Sequence, residues 1–242
     1  MSVKLSLIIP IYNAESFIYN TLIQLKEWKQ NFEYGVEIIC VNDGSTDGTG
    51  LILENFVNKN NDLKLVSYSI NKGKGYAVKK GMIEAQGEFR IFTDADIPYG
   101  LAELDRIIYY LDFKEFDVCI GNRKSVDSEY IMKMSFLRKL SSKLFTMLIS
   151  RYVVTGVNDT QCGLKGFRAD IADKIFSKLQ VKGFAFDVEV LYLCYKYEFD
   201  IKRIPVKFQG NNISTINLLS TSLSMFWDVL SLPVRYHLLK KY

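Results

Sequence analysis

Short apolar runs alternate with longer stretches of helical periodicity through the first half of the chain. The apolar runs predict strands at Lys4–Ile9, Val36–Val41, Leu63–Tyr68, Phe89–Thr93 and Phe116–Ile120. Between them, the spacing predicts helices near Glu15–Asn31, Thr46–Asn60, Gly75–Ala85 and Leu101–Leu111. Continuous Leu/Ile/Val strands separated by helices imply a mostly parallel sheet covered on both faces, an α/β architecture. Ligands of such sheets bind beyond the carboxyl ends of the strands. Pro10-Ile11-Tyr12-Asn13, Asn42-Asp43-Gly44 and Asp94-Ala95-Asp96 fall at such ends, so the fold is expected to gather three motifs that are far apart in sequence.

From about Gly121 the pattern loosens into a basic, serine-containing segment and then Asn158-Asp159-Thr160-Gln161-Cys162-Gly163-Leu164-Lys165-Gly166-Phe167-Arg168. A helix is expected near Ala169–Lys178, another opening at Gly183–Glu189, and a strand near Ile201–Phe208. There is no internal repeat, low-complexity tract or clear linker. We therefore expect one structural unit, with residues 1–210 as the main domain and 211–242 as an amphipathic, membrane-associating tail.

Composition narrows the chemistry. With 242 residues, 48% apolar and 24% charged, the chain can bury one good core. A net charge of +4 is too mild to argue for nucleic acid. Cys40, Cys119, Cys162 and Cys194 form no Cys-x-x-Cys pair, and because Met1-Ser2-Val3-Lys4 runs directly into a strand-like run, no signal peptide is expected. They are expected to be reduced, buried cytoplasmic thiols. His237 is the only histidine, which removes Ser-His-Asp hydrolysis, papain-like thiol chemistry and multi-histidine zinc sites. Carboxylates, a cation, lysines and arginines remain.

Asp94 and Asp96 follow the strand Phe89–Thr93 on a loop. Two carboxylates so placed can converge on one hard cation, whose shell substrate phosphates complete, or divide between a cation and a sugar hydroxyl. Asp43 could accept a hydrogen bond from a uracil imide or a guanine amidine edge, and Ser45 or Asp47 could cap the following helix. Asn71-Lys72-Gly73-Lys74-Gly75 sits before a helix, where backbone N–H groups and lysines favour an anion. The glycine spacing is neither a Walker loop nor a dinucleotide fingerprint. Taken singly, each segment is equally a solvated turn or a plain strand–turn–helix connection.

Together, Pro10-x-Tyr12-Asn13-x-Glu15, Val41–Thr49, Asn71–Gly75 and Asp94-Ala95-Asp96 resemble family 2 glycosyltransferases of the GT-A fold. Asp159-Thr160-Gln161-Cys162-Gly163-x-Lys165-x-Phe167-Arg168 and Gly183-Phe184-x-Phe186-Asp187-x-Glu189 further resemble the polyprenyl-phosphate (dolichyl-phosphate-type) glucosyl- and mannosyltransferases. The resemblance spans roughly residues 5 to 210. It implies a UDP- or GDP-hexose donor, Mg²⁺ or Mn²⁺, and a polyprenyl phosphate acceptor. By position it implies nucleoside contacts from Pro10, Tyr12 and Glu15, and a base contact from Asp43. Asp94 would lie on the ribose or cation side and Asp96 would bind the metal, with Lys72 or Lys74 at the diphosphate. Arg123 and Arg138 would face the acceptor phosphate, while Gln161 and Asp187 would line the sugar or acceptor pocket. The chain departs from the pattern at Thr215, at Arg203 and at Ile97-Pro98-Tyr99.

A phosphate monoester acceptor, with a second pKa of about 6, is largely a dianion at neutral pH and needs placement by arginines rather than a general base. The implied reaction is one in-line displacement with inversion. Asp187 is the candidate base should the acceptor be a saccharide hydroxyl, the alternative activity; a catalytically inactive nucleotide-sugar-binding scaffold is a third reading. In Ser135–Tyr152, Phe136, Leu137, Leu140, Leu144, Met147 and Leu148 share one helical face, which suits either a membrane interface or the protein's own core. Ile216–Val234 is interrupted by Asp228 and Pro233 and falls short of the ~20 clean apolar residues of a span. Peripheral or monotopic attachment at the cytoplasmic face is expected, with Arg235, Lys240 and Lys241 near headgroups.

Overall fold

A computed structural model describes residues 3–60, 63–123, 159–209 and 218–237. The first half alternates β1 (Val3–Ile11), α1 (Ile18–Lys29), β2 (Gly35–Asp43), α2 (Thr49–Lys59), β3 (Leu63–Tyr68), α3 (Lys74–Glu84), β4 (Phe89–Phe92), α4 (Ala102–Asp112) and β5 (Val118–Asn122). The second half contributes β6 (Lys165–Arg168), α5 (Ala169–Phe176), α6 (Phe186–Lys196), β7 (Ile201–Pro205) and α7 (Leu218–His237).

One seven-stranded sheet runs in the order β3-β2-β1-β4-β6-β5-β7. Its pairs are parallel except at β6, which is antiparallel to both β4 and β5. Alternate residues of each strand go to opposite faces. Ile8, Ile39 and Phe92 therefore pack with α3, α5 and α6, while Leu7, Ile9, Ile38, Cys40 and Ile91 pack with α1, α2 and α4. The covered two-faced sheet is the expected architecture.

Several expected boundaries shift, and one strand was not expected. β2 runs on through Asn42 and Asp43, because both still pair with β3 in register. α1 begins at Ile18 and α2 at Thr49, each three residues later than the apolar spacing suggests. Lys165–Arg168 forms β6, a sheet-interior strand whose first three residues are buried. Its reversed direction puts Lys165 opposite Phe92 at the end of β4 and opposite Ile120 near the end of β5. The start of β6 thus lies on the same rim as the ends of the parallel strands.

At the far end of the chain, α7 docks by burying Val229 and Leu232 in the cluster that holds α6. The Tyr236 ring meets Tyr192 of α6 edge-on at 5.8 Å. Among the described residues no helix is long and apolar enough to cross a membrane.

Candidate active site

Two loops at the carboxyl rim are laced together by side chains that are short and polar. Asn13, held at φ 49°, donates its N–H to Ser45 Oγ at 3.0 Å and accepts the Thr46 N–H at 2.8 Å. The Ala14 N–H reaches Thr49 Oγ1 at 2.8 Å. Glu15 accepts the Gly48 N–H at 2.8 Å, and its own N–H goes to Asp47 at 3.2 Å. Asp47 also accepts the Thr49 N–H at 3.0 Å, but the N-cap of α2 is Gly48, so neither Ser45 nor Asp47 is the capping residue that was expected. Pro10, Tyr12 and Glu15 thus stand on one fixed shelf with Asp43, and Tyr12 is half exposed above it.

Asp43 is buried at 3% exposure and organises the third loop. Its two carboxylate oxygens accept the N–H groups of Lys72 at 2.8 Å and Gly73 at 2.9 Å, while Asn71 donates to its carbonyl at 3.0 Å. Gly73 adopts φ 95°, where an added Cβ would sit 2.6 Å from the Lys182 carbonyl. That carbonyl accepts the Tyr76 N–H at 3.2 Å. The glycine-rich loop therefore directs its first amides to Asp43 rather than outward. The Lys72 ammonium lies over the Tyr76 ring at 4.7 Å and the Tyr68 ring at 5.3 Å. Lys74 turns instead to Asp94.

Around Asp94 the structure brings together residues from four elements. Lys74, at the head of α3, forms an ion pair with Asp94 Oδ1. Gly163, two residues before β6, packs so closely that a Cβ there would lie 2.1 Å from Asp94 Oδ2. Deeper in, Lys165 is 1% exposed and donates to the Cys162 carbonyl at 2.6 Å and to Asp187 Oδ1, in the first turn of α6. Burial opposes the Lys74 ammonium, but Asp94 and then Asp187 outweigh it and hold its pKa above the usual value. Burial raises the Asp187 carboxyl, against the pull of Lys165 and Lys74. The result is a row of alternating charge, Asp94, Lys74, Asp187 and Lys165, running from the partly exposed rim to the core.

Asp96 is exposed, two residues beyond Asp94. The protein packed around it, and then the neighbouring Asp94 carboxylate, push its carboxyl above the usual range. Two carboxylates that disfavour each other are a donor set suited to a hard divalent cation such as Mg²⁺ or Mn²⁺. Among the described residues no third His, Cys, Asp or Glu joins them. The remaining coordination positions would thus fall to water or phosphate oxygens, and the residues fit such an ion.

The acceptor-side expectations fare unevenly. Arg123 follows β5, and its guanidinium forks onto Asp159, with Nε at 2.9 Å from Oδ2 and Nη2 at 2.7 Å from Oδ1. Burial works against the Asp159 carboxylate, but Arg123 outweighs it and lowers the pKa. Tyr99 is buried beside Cys162, and burial followed by the Cys162 thiol raises its phenol. Gln161 is half-buried on the same loop. Asp187 is 3% exposed, enclosed rather than lining an open pocket. Glu189, fully buried, accepts the Val181 N–H at 2.7 Å and both oxygens face Gln180 N–H at 3.1 Å, so it fixes the loop beneath α3. Arg138 and the Ser135–Tyr152 segment lie outside the described residues.

Sequence reasoning missed Lys165, Gly163 and the Arg123–Asp159 pair. A signal for the first existed: Lys165 and Asp187 are opposite charges within segments that read as core, and a charge placed there calls for an opposite partner.

Comparison with known proteins agrees with this geometry. The sequence profile described as Glycosyl transferase family 2 matches residues 6–176. The dolichyl-phosphate beta-glucosyltransferase of Dictyostelium discoideum is 31% identical over 97% of this chain and 75% of its own. Those of Saccharomyces cerevisiae (30%, covering 96% and 75%) and Homo sapiens (29%, 96% and 76%) are similar in extent. The crystal structure of Mycobacterium tuberculosis glucosyl-3-phosphoglycerate synthase, solved with Mn²⁺, UDP and glucosyl-3-phosphoglycerate, superposes with a TM-score of 0.70. It is 16% identical, covering 95% of this chain and 79% of that one, and shares the GT-A fold. With three sequence-distant loops converging on one carboxylate rim and a family profile spanning most of the chain, this protein belongs to glycosyl transferase family 2.

Proposed function

We propose that this chain transfers glucose from a nucleoside diphosphate donor to a polyprenyl phosphate of the dolichyl type, with inversion at the anomeric carbon. The observation that carries the reading is the Asp94–Asp96 rim with Lys74 behind it, in a chain 31% identical along nearly its whole length to a dolichyl-phosphate beta-glucosyltransferase.

The shelf of Pro10, Tyr12, Glu15 and Asp43 would receive the nucleoside. Asp94 and Asp96 would hold Mg²⁺ or Mn²⁺, which supplies positive charge to the departing diphosphate. Lys74 adds to that field from within the protein, and Lys72 from the loop edge. In the transfer, an acceptor phosphate oxygen forms a bond to the anomeric carbon as the bond to the donor diphosphate breaks. The acceptor dianion brings its own nucleophilicity, so what the protein must supply is alignment. An enclosed Asp187, already paired to Lys165, suits that chemistry: we assign it to holding the two lysines rather than to removing a proton. Arg123, 21% exposed beside Asp159, is the described arginine closest in role to an acceptor clamp.

Attachment to a membrane surface is part of the proposal. On α7, Trp227 is 69% and Val234 46% exposed, with Arg235 beside them, while Val229 and Leu232 face inward. An exposed tryptophan and valine next to a basic residue suit an interface rather than a span. The cytoplasmic face, where nucleotide sugars are made, is the compartment we infer.

The test is transfer of radiolabel from UDP-glucose, with GDP-mannose in parallel, to a short polyprenyl phosphate, with and without EDTA. Label in the organic phase, lost with EDTA, is the expected result. Label only on added saccharides, or undiminished organic-phase label in EDTA, would overturn the acceptor or the metal respectively.

A further inference from the structure

The Asp94 carboxylate is already held by a cation belonging to the chain. Lys74 pairs with it through Oδ1, its side chain only 19% exposed, with Asp187 attracting the same ammonium from the protein side. Asp187 already accepts the Lys165 ammonium through Oδ1, so Lys74 shares that carboxylate with a second cation. Gly163 closes the other side of Asp94, so the carboxylate has little room to serve two cations at once. Lys72 does not share this duty, since its ammonium lies over the Tyr76 ring.

We propose that Lys74 is a resident counter-ion that competes with a divalent cation for Asp94 and releases it when a diphosphate arrives to receive the ammonium. The proposal rests on reading Asp94 and Asp96 as the cation's ligands. Its physical basis is simple: an ammonium and a divalent ion on one carboxylate repel strongly at contact distance in a partly desolvated cleft. A diphosphate removes the conflict by giving Lys74 a second anion. Metal and nucleotide then bind synergistically, each raising the affinity of the other by the same factor. Lys74 would thereby keep the site from filling with metal alone and reserve it for the metal–nucleotide pair.

The experiment is calorimetric titration of Mn²⁺ into the full chain, alone and with saturating UDP or GDP, whichever raises the wild-type melting temperature. Wild type is expected to bind Mn²⁺ about tenfold or more tighter with the nucleotide than without it, within the usual range of coupling. Lys74→Met and Lys74→Gln are expected to bind Mn²⁺ alone several-fold tighter than wild type, and to lose most of the synergy. Lys74→Arg, which keeps the charge, is expected to bind Mn²⁺ alone as weakly as wild type. Unchanged affinity for Mn²⁺ alone in both neutral variants overturns the role of Lys74. Asp96→Asn separates the two levels of the argument: if Mn²⁺ binding with nucleotide survives it, the metal reading fails and this proposal with it. If Asp96→Asn abolishes that binding while the neutral Lys74 variants behave as wild type, only the counter-ion role falls.

Discussion

Gly163→Ala is the sharpest single probe of the cleft. The new methyl would lie 2.1 Å from Asp94 Oδ2, 2.7 Å from Cγ and 2.9 Å from Oδ1, whereas ordinary contact starts near 3.4 Å. The whole carboxylate must therefore retreat by roughly 1 Å to escape repulsion. The Asp94 main chain is not free to follow, because its carbonyl accepts the Ile97 N–H at 3.0 Å and the preceding Thr93 N–H is held by Ile8. On the Asp94 side it is the side chain that yields, at the expense of its approach to Lys74. Gly163 does not occupy the left-handed region, so alanine brings no backbone strain. Forcing one side chain off its rotamer costs about 1 kcal/mol, a fall of about 2–4 °C in melting temperature for a domain of this size. A misplacement of about 1 Å at a reacting centre can lower turnover about 100-fold. Steady-state transfer from UDP-glucose to a short polyprenyl phosphate, beside a thermal melt, measures both. Gly183→Ala is the control, since nothing lies within 4 Å of its added Cβ. Turnover in Gly163→Ala within threefold of wild type, with the melt unchanged, would refute the claim that Asp94 must sit where it does.

Other perturbations separate function from stability. Asp96→Asn should lower turnover by about 100-fold or more. Its melting temperature at neutral pH should hold or rise, because a carboxyl whose folded pKa is raised disfavours the fold above that pKa and the amide removes the charge. Lys165→Met leaves Asp187 buried without its partner and should cost about 3–5 kcal/mol by denaturant titration, whereas Lys165→Met with Asp187→Leu should recover most of that stability while transfer stays impaired. An equal loss of stability in the single and double variants would contradict the pairing. The lowered carboxyl of Asp159 contributes stability that is complete above the unfolded aspartate pKa of about 3.9 and lost as pH falls through the folded value. Arg123→Met should therefore narrow the difference in stability between pH 6 and pH 3, measured by urea unfolding.

The first half of the fold was readable because its strands are continuous apolar runs and its helices have clear spacing. β6 was not, because Lys165-Gly166-Phe167-Arg168 contains no β-branched residue and places a lysine and a glycine inside a sheet. The glycine is there for room: a Cβ on Gly166 would meet Ile107 at 2.4 Å. At the site, Asp43, Lys74, Asp94 and Asp96 were identified by type and are gathered as expected. Their partners were not, since the amides of Lys72 and Gly73 could as well have faced a phosphate as Asp43. Arg123 shows the same limit, because sequence gives a charge but not which of several carboxylates it meets.

β6 also has a consequence for how the protein is made. The four residues of β4, all buried in the finished sheet, acquire their second neighbour only from residues 165–168. Until the ribosome has delivered that stretch, Phe89-Arg90-Ile91-Phe92 is an unprotected sheet border, ready to pair with another copy. Chains cut short between β5 and β6 should therefore collect in inclusion bodies, and slowing synthesis before residue 165 should lower soluble yield.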